Sequence, residues 1–465
     1  MRTLLILATV LALSPLGADA SRHRHHRHVL QSDESGETGD VGPGASTSAG
    51  QGPPPFPQTP PYPTLAPVSA TELKLRMLKD YPQALCNDGT HGGYYWSQGT
   101  DPNLWVVYLQ VRRRPASARR TSHTPFHLQG GYWCIDRLTC HGRMSDVDQA
   151  SSKFWQPSTL ASGIFSREAN NSFSEANMVY VRYCSSDAWM GNVVAWDEYF
   201  YGAPTVYAVF EDLMANMGLA SGAQVLFGGC SAGARGALVH LDNIASWMST
   251  YGIEVRGLLD SGLWIDFVPL TNGGMGGTLV NQAEYVYGFA NVSSVIPEDC
   301  AQAYQGEEWK CIFPQYRMPF VKTSYFVSAS SFDDFQTNYD CDASPIQDTQ
   351  IMQNAPFINS RKTIICFNNF QTAMNQVLVT LPTMAQTTSA VFSSACSLHC
   401  TSTGADYWSI TVNGQTFSAL MAAWWFGHDT PRTISTCQGT PCMAECIPEE
   451  QRFPQGFGAT ENIAR

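Results

Sequence analysis

Val225-Leu226-Phe227-Gly228-Gly229-Cys230-Ser231-Ala232-Gly233-Ala234-Arg235-Gly236 decides how this chain is read. An apolar run enters Gly229-Cys230-Ser231-Ala232-Gly233, a G-x-S-x-G pattern, and apolar residues at helical spacing follow (Ala237, Leu238, Leu241, Ile244, Trp247, Met248). The spacing predicts a strand, a sharp turn and a helix. A nucleophilic serine needs this context: a tight turn flanked by glycines forces it into strained backbone geometry and pushes its hydroxyl clear of the sheet. The helix N-terminus just beyond offers backbone N–H groups to an oxyanion. The bare pattern is weak evidence, because a small-residue turn before a helix also serves packing. The strand ahead of it and the helix behind it favour the catalytic reading. Cys230 is a rival nucleophile, read here as a buried structural thiol because the second residue of an elbow points into the core.

The 465 residues are 44% hydrophobic and 14% charged, enough for one large globular domain or two smaller ones. A formal charge of −12 argues against a nucleic-acid partner, which asks for a basic face. Residues 1–20 read as a signal peptide: Arg2, the apolar run from Leu4 to Leu13, then Ala18-Asp19-Ala20 as a small-x-small cleavage site. No later segment is long and apolar enough to span a bilayer. Export to an oxidising compartment accounts for the fourteen cysteines as disulfides. The sequons at Asn170 and Asn291 predict glycosylation on the same route. Residues 21–70 are His/Arg-rich, then Gly/Ser- and Pro-rich, and read as a disordered linker. The His/Arg run from Ser21 to His28 is read as a solvated tail, since no spacing in it fixes a metal geometry. Residues 448–465 read as a tail.

The folded part, 71–447, opens with a short helix expected over Glu72–Lys79. Buried strands are expected at Asn103–Gln110, Ala176–Tyr183, Val255–Leu259 and Thr323–Ala329, with a helix from Tyr201 to Met217. This alternation predicts an α/β fold with a mostly parallel sheet and helices on both faces. Val111–Gln129 breaks the pattern. It carries five arginines in an acidic protein and separates Leu109-Gln110 from Gly130-Gly131-Tyr132-Trp133-Cys134. Joining Gln110 to Gly130 restores an uninterrupted strand and turn. Two readings stay open, a retained intron (a valine codon begins with GT, a glutamine codon can end in AG) and an exposed basic loop.

A late strand runs into Ser330-Ser331-Phe332-Asp333-Asp334, where the acid of a hydrolase triad sits, although Asp is also a favoured helix cap. For the base, which must hold its ring within hydrogen-bond reach of the serine, the candidates are His399 and His428. His399 is preferred, because a disulfide between Cys396 and Cys400 would give it a rigid perch. The order Ser231, Asp333, His399 is that of α/β-hydrolases.

These motifs together resemble the Notum and pectin acetylesterase family, secreted serine carboxylesterases of α/β-hydrolase fold. The resemblance covers Leu85 to about Cys446, through Gly130–Cys134, Tyr183-Cys184-Ser185-Ser186-Asp187, the elbow, Asp260-Ser261-Gly262, Gly306–Cys311 and Ala395–His399. It implies Ser231 as nucleophile, Asp333 as acid and His399 as base, with the backbone amides of Gly131, Tyr132 and Ala232 as oxyanion donors. It also implies the disulfides Cys86–Cys184, Cys134–Cys140 and Cys300–Cys311, with the other eight cysteines unassigned, and neither metal nor organic cofactor. The family usually has Glu before the Gly-Gly turn, where this chain has Gln129, or Gln110 if the insertion is an intron. The implied substrate is an acylated polysaccharide or a lipidated protein. Two rivals belong to other classes: an inactive hydrolase-fold module that binds glycan or lipid, and a structural glycoprotein. Tyr132, Trp133 and Trp264 are candidates for an acyl pocket, although aromatics this common more often serve simply as core, and the oligomeric state is not readable.

Overall fold

Leu104–Leu109 is apolar at every position and buried at every position, as a strand covered on both faces must be. It lies beside Gln224–Cys230 in the middle of the ten-stranded sheet of the computed structural model. The described residues are 70–110, 132–144, 147–270, 277–341, 361–384, 389–427 and 429–442. All of them fall in one compact unit, 64–465.

On one side of Gln224–Cys230 follow Glu254–Asp260, Tyr325–Ser328, Ser389–Ser393 and Arg432–Ile434, all parallel. On the other side lie Leu104–Leu109 and Asn177–Val181, also parallel. Gly93–Ser97, Thr71–Met77 and Ser158–Ala161 then continue the sheet, each antiparallel to its neighbour. After Leu104–Leu109 the chain adds Ser158–Ala161 and then Asn177–Val181 on one side of it, and returns to add Gln224–Cys230 on the other. Ligand sites of open α/β sheets form at such a reversal, outside the carboxyl ends of the strands.

Alternate side chains of the central strands build two cores. Val225 and Phe227 pack with Val209, Phe210 and Leu213 of helix Gly202–Asn216 and with Leu238, Leu241 and Ile244 of helix Ala232–Ser249. Leu226 points the other way, with Leu258 and Phe326, onto Phe417, Leu420 and Trp424 of helix Phe417–Gly427. The fold is therefore that of an α/β-hydrolase, a mostly parallel sheet between helical layers.

The expected helix at Glu72–Lys79 is instead the strand Thr71–Met77. Leu73, Leu75 and Met77 repeat with period two, and Leu73 is buried between the exposed Glu72 and Lys74. Pairing on both edges outweighs the helix propensity of Glu, Leu, Lys and Met. Gly131, His428 and the stretches 1–20, 111–129 and 448–465 lie outside the described residues. Asn170 and Asn291 are exposed. Among the described residues no helix is long and apolar enough to cross a membrane.

The Gln110 amide still donates to Val181 O at 2.9 Å, so the parallel ladder is intact up to the start of the insertion. Sequencing the transcript tests the intron reading. Messages that join the Gln110 codon to the Gly130 codon are expected, and messages that always carry 111–129 contradict it.

Candidate active site

Ser231 sits at the carboxyl end of Gln224–Cys230 with φ 55° and ψ −121°, a conformation that L-residues rarely adopt. The glycines around it are needed for close approach. A Cβ on Gly229 would lie 2.6 Å from Leu109 O, and one on Gly233 would overlap the same oxygen. The elbow therefore presses directly on the end of the neighbouring strand, with Gly229 in register with Leu109. Ala232 is the first residue of the helix, where an amide has no carbonyl one turn back to bond. Tyr183 braces the turn by donating its hydroxyl to Tyr132 O at 3.0 Å, while its oxygen accepts from the Ala188 amide at 2.6 Å.

Asp333 caps helix Asp334–Asp340. Its Oδ1 accepts from the Gln336 amide at 3.0 Å, and its Oδ2 faces His399 Nδ1 at 2.9 Å. The capping and triad readings of this aspartate are thus compatible, one oxygen for each. Burial opposes the charging of His399, but the charge and hydrogen bond of Asp333, with Asp334 and Asp260 beyond, outweigh it and raise the imidazole pKa above its ordinary value.

Three further constraints fix the His399 loop, and the strongest corrects the sequence reading of Cys230. That residue is not a thiol: it is disulfide-bonded to Cys400, 170 residues away, with the Cα atoms 5.6 Å apart. The neighbour of Ser231 is thus covalently tied to the neighbour of His399. Cys396 is also oxidised, but its partner is not Cys400, so the perch expected from a Cys396–Cys400 bridge is replaced by an anchor to the elbow itself. Second, the Asp260 carboxylate accepts from the amides of Thr401 and Ser402 (2.8 and 2.7 Å) and from the Ser402 hydroxyl (2.6 Å). Third, the Cys400 amide donates to Ser261 Oγ at 2.9 Å. The Asp260-Ser261-Gly262 motif, named in the sequence only as part of the family resemblance, therefore serves the histidine loop.

The structure also joins Cys86 to Cys184, Cys134 to Cys140 and Cys300 to Cys311. Cys341–Cys366 and Cys437–Cys442 are bridges that sequence alone left unassigned. The sulfurs nearest His399 belong to the Cys230–Cys400 bridge and so are not thiolate metal ligands.

Fold and site together define an α/β-hydrolase with a serine at its elbow and a His–Asp pair beside it. Residues 113–447 match the pectinacetylesterase family, and the chain belongs to that family. It is 31% identical over 304 residues to palmitoleoyl-protein carboxylesterase notum1 of Xenopus laevis, covering 62% of this chain and 58% of that protein. Pectin acetylesterase 11 of Arabidopsis thaliana is 27% identical over 376 residues, covering 78% of this chain and 89% of that one. The chain thus spans less than two thirds of the length of that Notum protein. The crystal structure of the Wnt deacylase Notum from Drosophila superposes with a TM-score of 0.66 at 24% identity, covering 79% of this chain and 97% of the other.

Replacing both Cys230 and Cys400 by serine removes a cross-link that closes a long loop, expected to cost about 2–5 kcal/mol of stability. A denaturation midpoint that clearly falls, together with a lower esterase rate per folded molecule, is expected. An unchanged midpoint contradicts the anchoring role.

Proposed function

We propose that this chain is a secreted serine carboxylesterase that hydrolyses an O-acyl ester through Ser231, His399 and Asp333. The observation that carries the reading is the 2.9 Å contact of His399 Nδ1 with Asp333 Oδ2 on a loop bonded through Cys400 to the elbow at Cys230. Nδ1 is engaged by the carboxylate, which leaves Nε2 to act as base.

In this reading His399 takes the Ser231 proton as the hydroxyl oxygen attacks the ester carbonyl. The amides of Gly131, Tyr132 and Ala232 receive the oxyanion. The imidazolium, held by Asp333, returns its proton to the departing alcohol and leaves an acyl-serine. Water, deprotonated by His399, then attacks the acyl-serine to release the acid and restore the serine. The relatives are named for acetyl esters of pectin and palmitoleoyl esters of protein, so the acyl group is acetyl on a polysaccharide or a fatty chain on a protein. Six described disulfides favour secretion.

Ser231→Ala is expected to lower aryl-ester turnover by about 10⁴-fold or more. A secreted, folded Ser231→Ala protein with the wild-type rate excludes the mechanism, and a wild type inert to every ester returns the reading to a binding module. The neutral imidazole is the base, so kcat/KM is expected to rise with pH through a midpoint above the ordinary histidine value of about 6.5. Asp333→Asn removes the charge that raises this midpoint. The limb should move to lower pH while turnover falls by about 10⁴-fold, and a limb that stays in place contradicts the Asp333 assignment.

A further inference from the structure

One motif of the sequence, Tyr183-Cys184-Ser185-Ser186-Asp187, has no part in the triad, and with the two residues beyond it forms a buried, strained loop. Ser186, Ala188 and Trp189 have φ of 55°, 52° and 69°, and all three are buried. Left-handed backbone at three non-glycine residues costs stability, and it persists only where the surroundings over-determine it. Asp187 supplies that constraint. Its buried carboxylate accepts from the Ser185 hydroxyl (2.6 Å) and the Trp189 amide (2.9 Å) on Oδ1, and from the amides of Gly191 (3.1 Å) and Gly202 (2.8 Å) on Oδ2. Burial raises its pKa to about 6 against the pull of these donors, so at neutral pH it is a carboxylate.

The loop touches both the elbow helix and the turn at Tyr132. On the helix side, His240 Nε2 donates to Trp189 O at 2.7 Å. Gly236 allows the approach, since a Cβ there would lie 2.5 Å from Trp189 Cβ. On the turn side, Ser186 O accepts from the Cys134 amide at 2.9 Å, while the Tyr183 hydroxyl accepts from the Ala188 amide and donates to Tyr132 O. Burial pushes the Tyr183 pKa up, so the hydroxyl stays a donor. The turn also lies against the elbow helix directly: the Arg235 guanidinium carbon is 4.1 Å from the ring centroid of Trp133 and 3.6 Å from that of Trp264. Ala232 packs in the same cluster as both indoles.

We propose that Asp187 and Tyr183 are positioning residues that hold the Tyr132 turn in fixed relation to the elbow, so that the Tyr132 amide keeps its aim at the oxyanion. The inference rests on the esterase reading and its assignment of that amide, and adds two residues that act through the turn. Without the carboxylate nothing keeps the three positive φ angles, and relaxing them moves the Ala188 amide and the Tyr183 hydroxyl with it.

The test is kcat and KM on p-nitrophenyl acetate and octanoate, together with the affinity for an aryl trifluoromethyl ketone, which forms a tetrahedral adduct on a catalytic serine. Tyr183→Phe is expected to lower kcat about tenfold with KM unchanged and to weaken ketone binding by the same factor, less than the roughly 10²- to 10³-fold of a donor lost outright, because the amide remains. Asp187→Asn is expected to lose at least as much, since its NH2 group faces two donors whichever way the amide turns. Tyr94→Phe removes a buried hydroxyl from Asp212, on a strand three places along the sheet from the elbow strand, and is expected to match wild type in kcat and ketone affinity. Should Tyr183→Phe or Asp187→Asn fail to fold, Ser185→Ala, which deletes one of the four donors to Asp187, decides: kcat and ketone affinity are expected to fall together by about threefold. A folded Tyr183→Phe or Ser185→Ala protein with wild-type kcat overturns the proposal. So does a loss carried by KM, or a fall in kcat with ketone affinity unchanged. In each of these cases wild type still cleaves the ester and the positioning proposal alone fails. If wild type cleaves neither ester, the esterase reading fails and takes the proposal with it.

Discussion

The close approach of the elbow to the end of strand Leu104–Leu109 is the constraint on which the rest of the site depends. Gly229 and Gly233 have no Cβ, so the backbone on either side of Ser231 can rest against Leu109 O. That contact supports the positive φ of Ser231 and aims its hydroxyl away from the sheet. It also fixes the start of the elbow helix against the end of the neighbouring parallel strand. A side chain at either glycine would push the elbow and the neighbouring strand end apart.

The imidazole is held by a different logic. His399 comes from a loop far along the chain, and nothing local fixes it. Its position follows from three long-range ties: the Cys230–Cys400 bridge, the Asp260 carboxylate beneath Thr401 and Ser402, and Asp333 on Nδ1. Two of these ties start at the ends of the central strands Gln224–Cys230 and Glu254–Asp260. The sheet that presents the serine thus also presents the anchors of His399, which gives the proposed base a fixed geometry.

Features written in local sequence were legible. The elbow shows as an apolar run, small residues and a helical period, and the buried parallel strands show as continuous apolar stretches. The first strand misled because its Glu, Leu, Lys and Met composition favours a helix, while only pairing with Gly93–Ser97 and Ser158–Ala161 makes it a strand. Cys230 misled for a related reason: its partner is 170 residues away, and sequence carries no mark of which cysteine will be near. Arg235 was visible only as a residue in the elbow helix. Its packing against the rings of Trp133 and Trp264 depends on residues far from it in the chain.

Covalent capture of the nucleophile tests the central claim most directly. Secreted protein treated with a fluorophosphonate and digested should carry one adduct, on Ser231 in the peptide that spans the elbow, and Ser231→Ala protein should carry none. An adduct at another residue, or no adduct on folded wild type, would contradict the account.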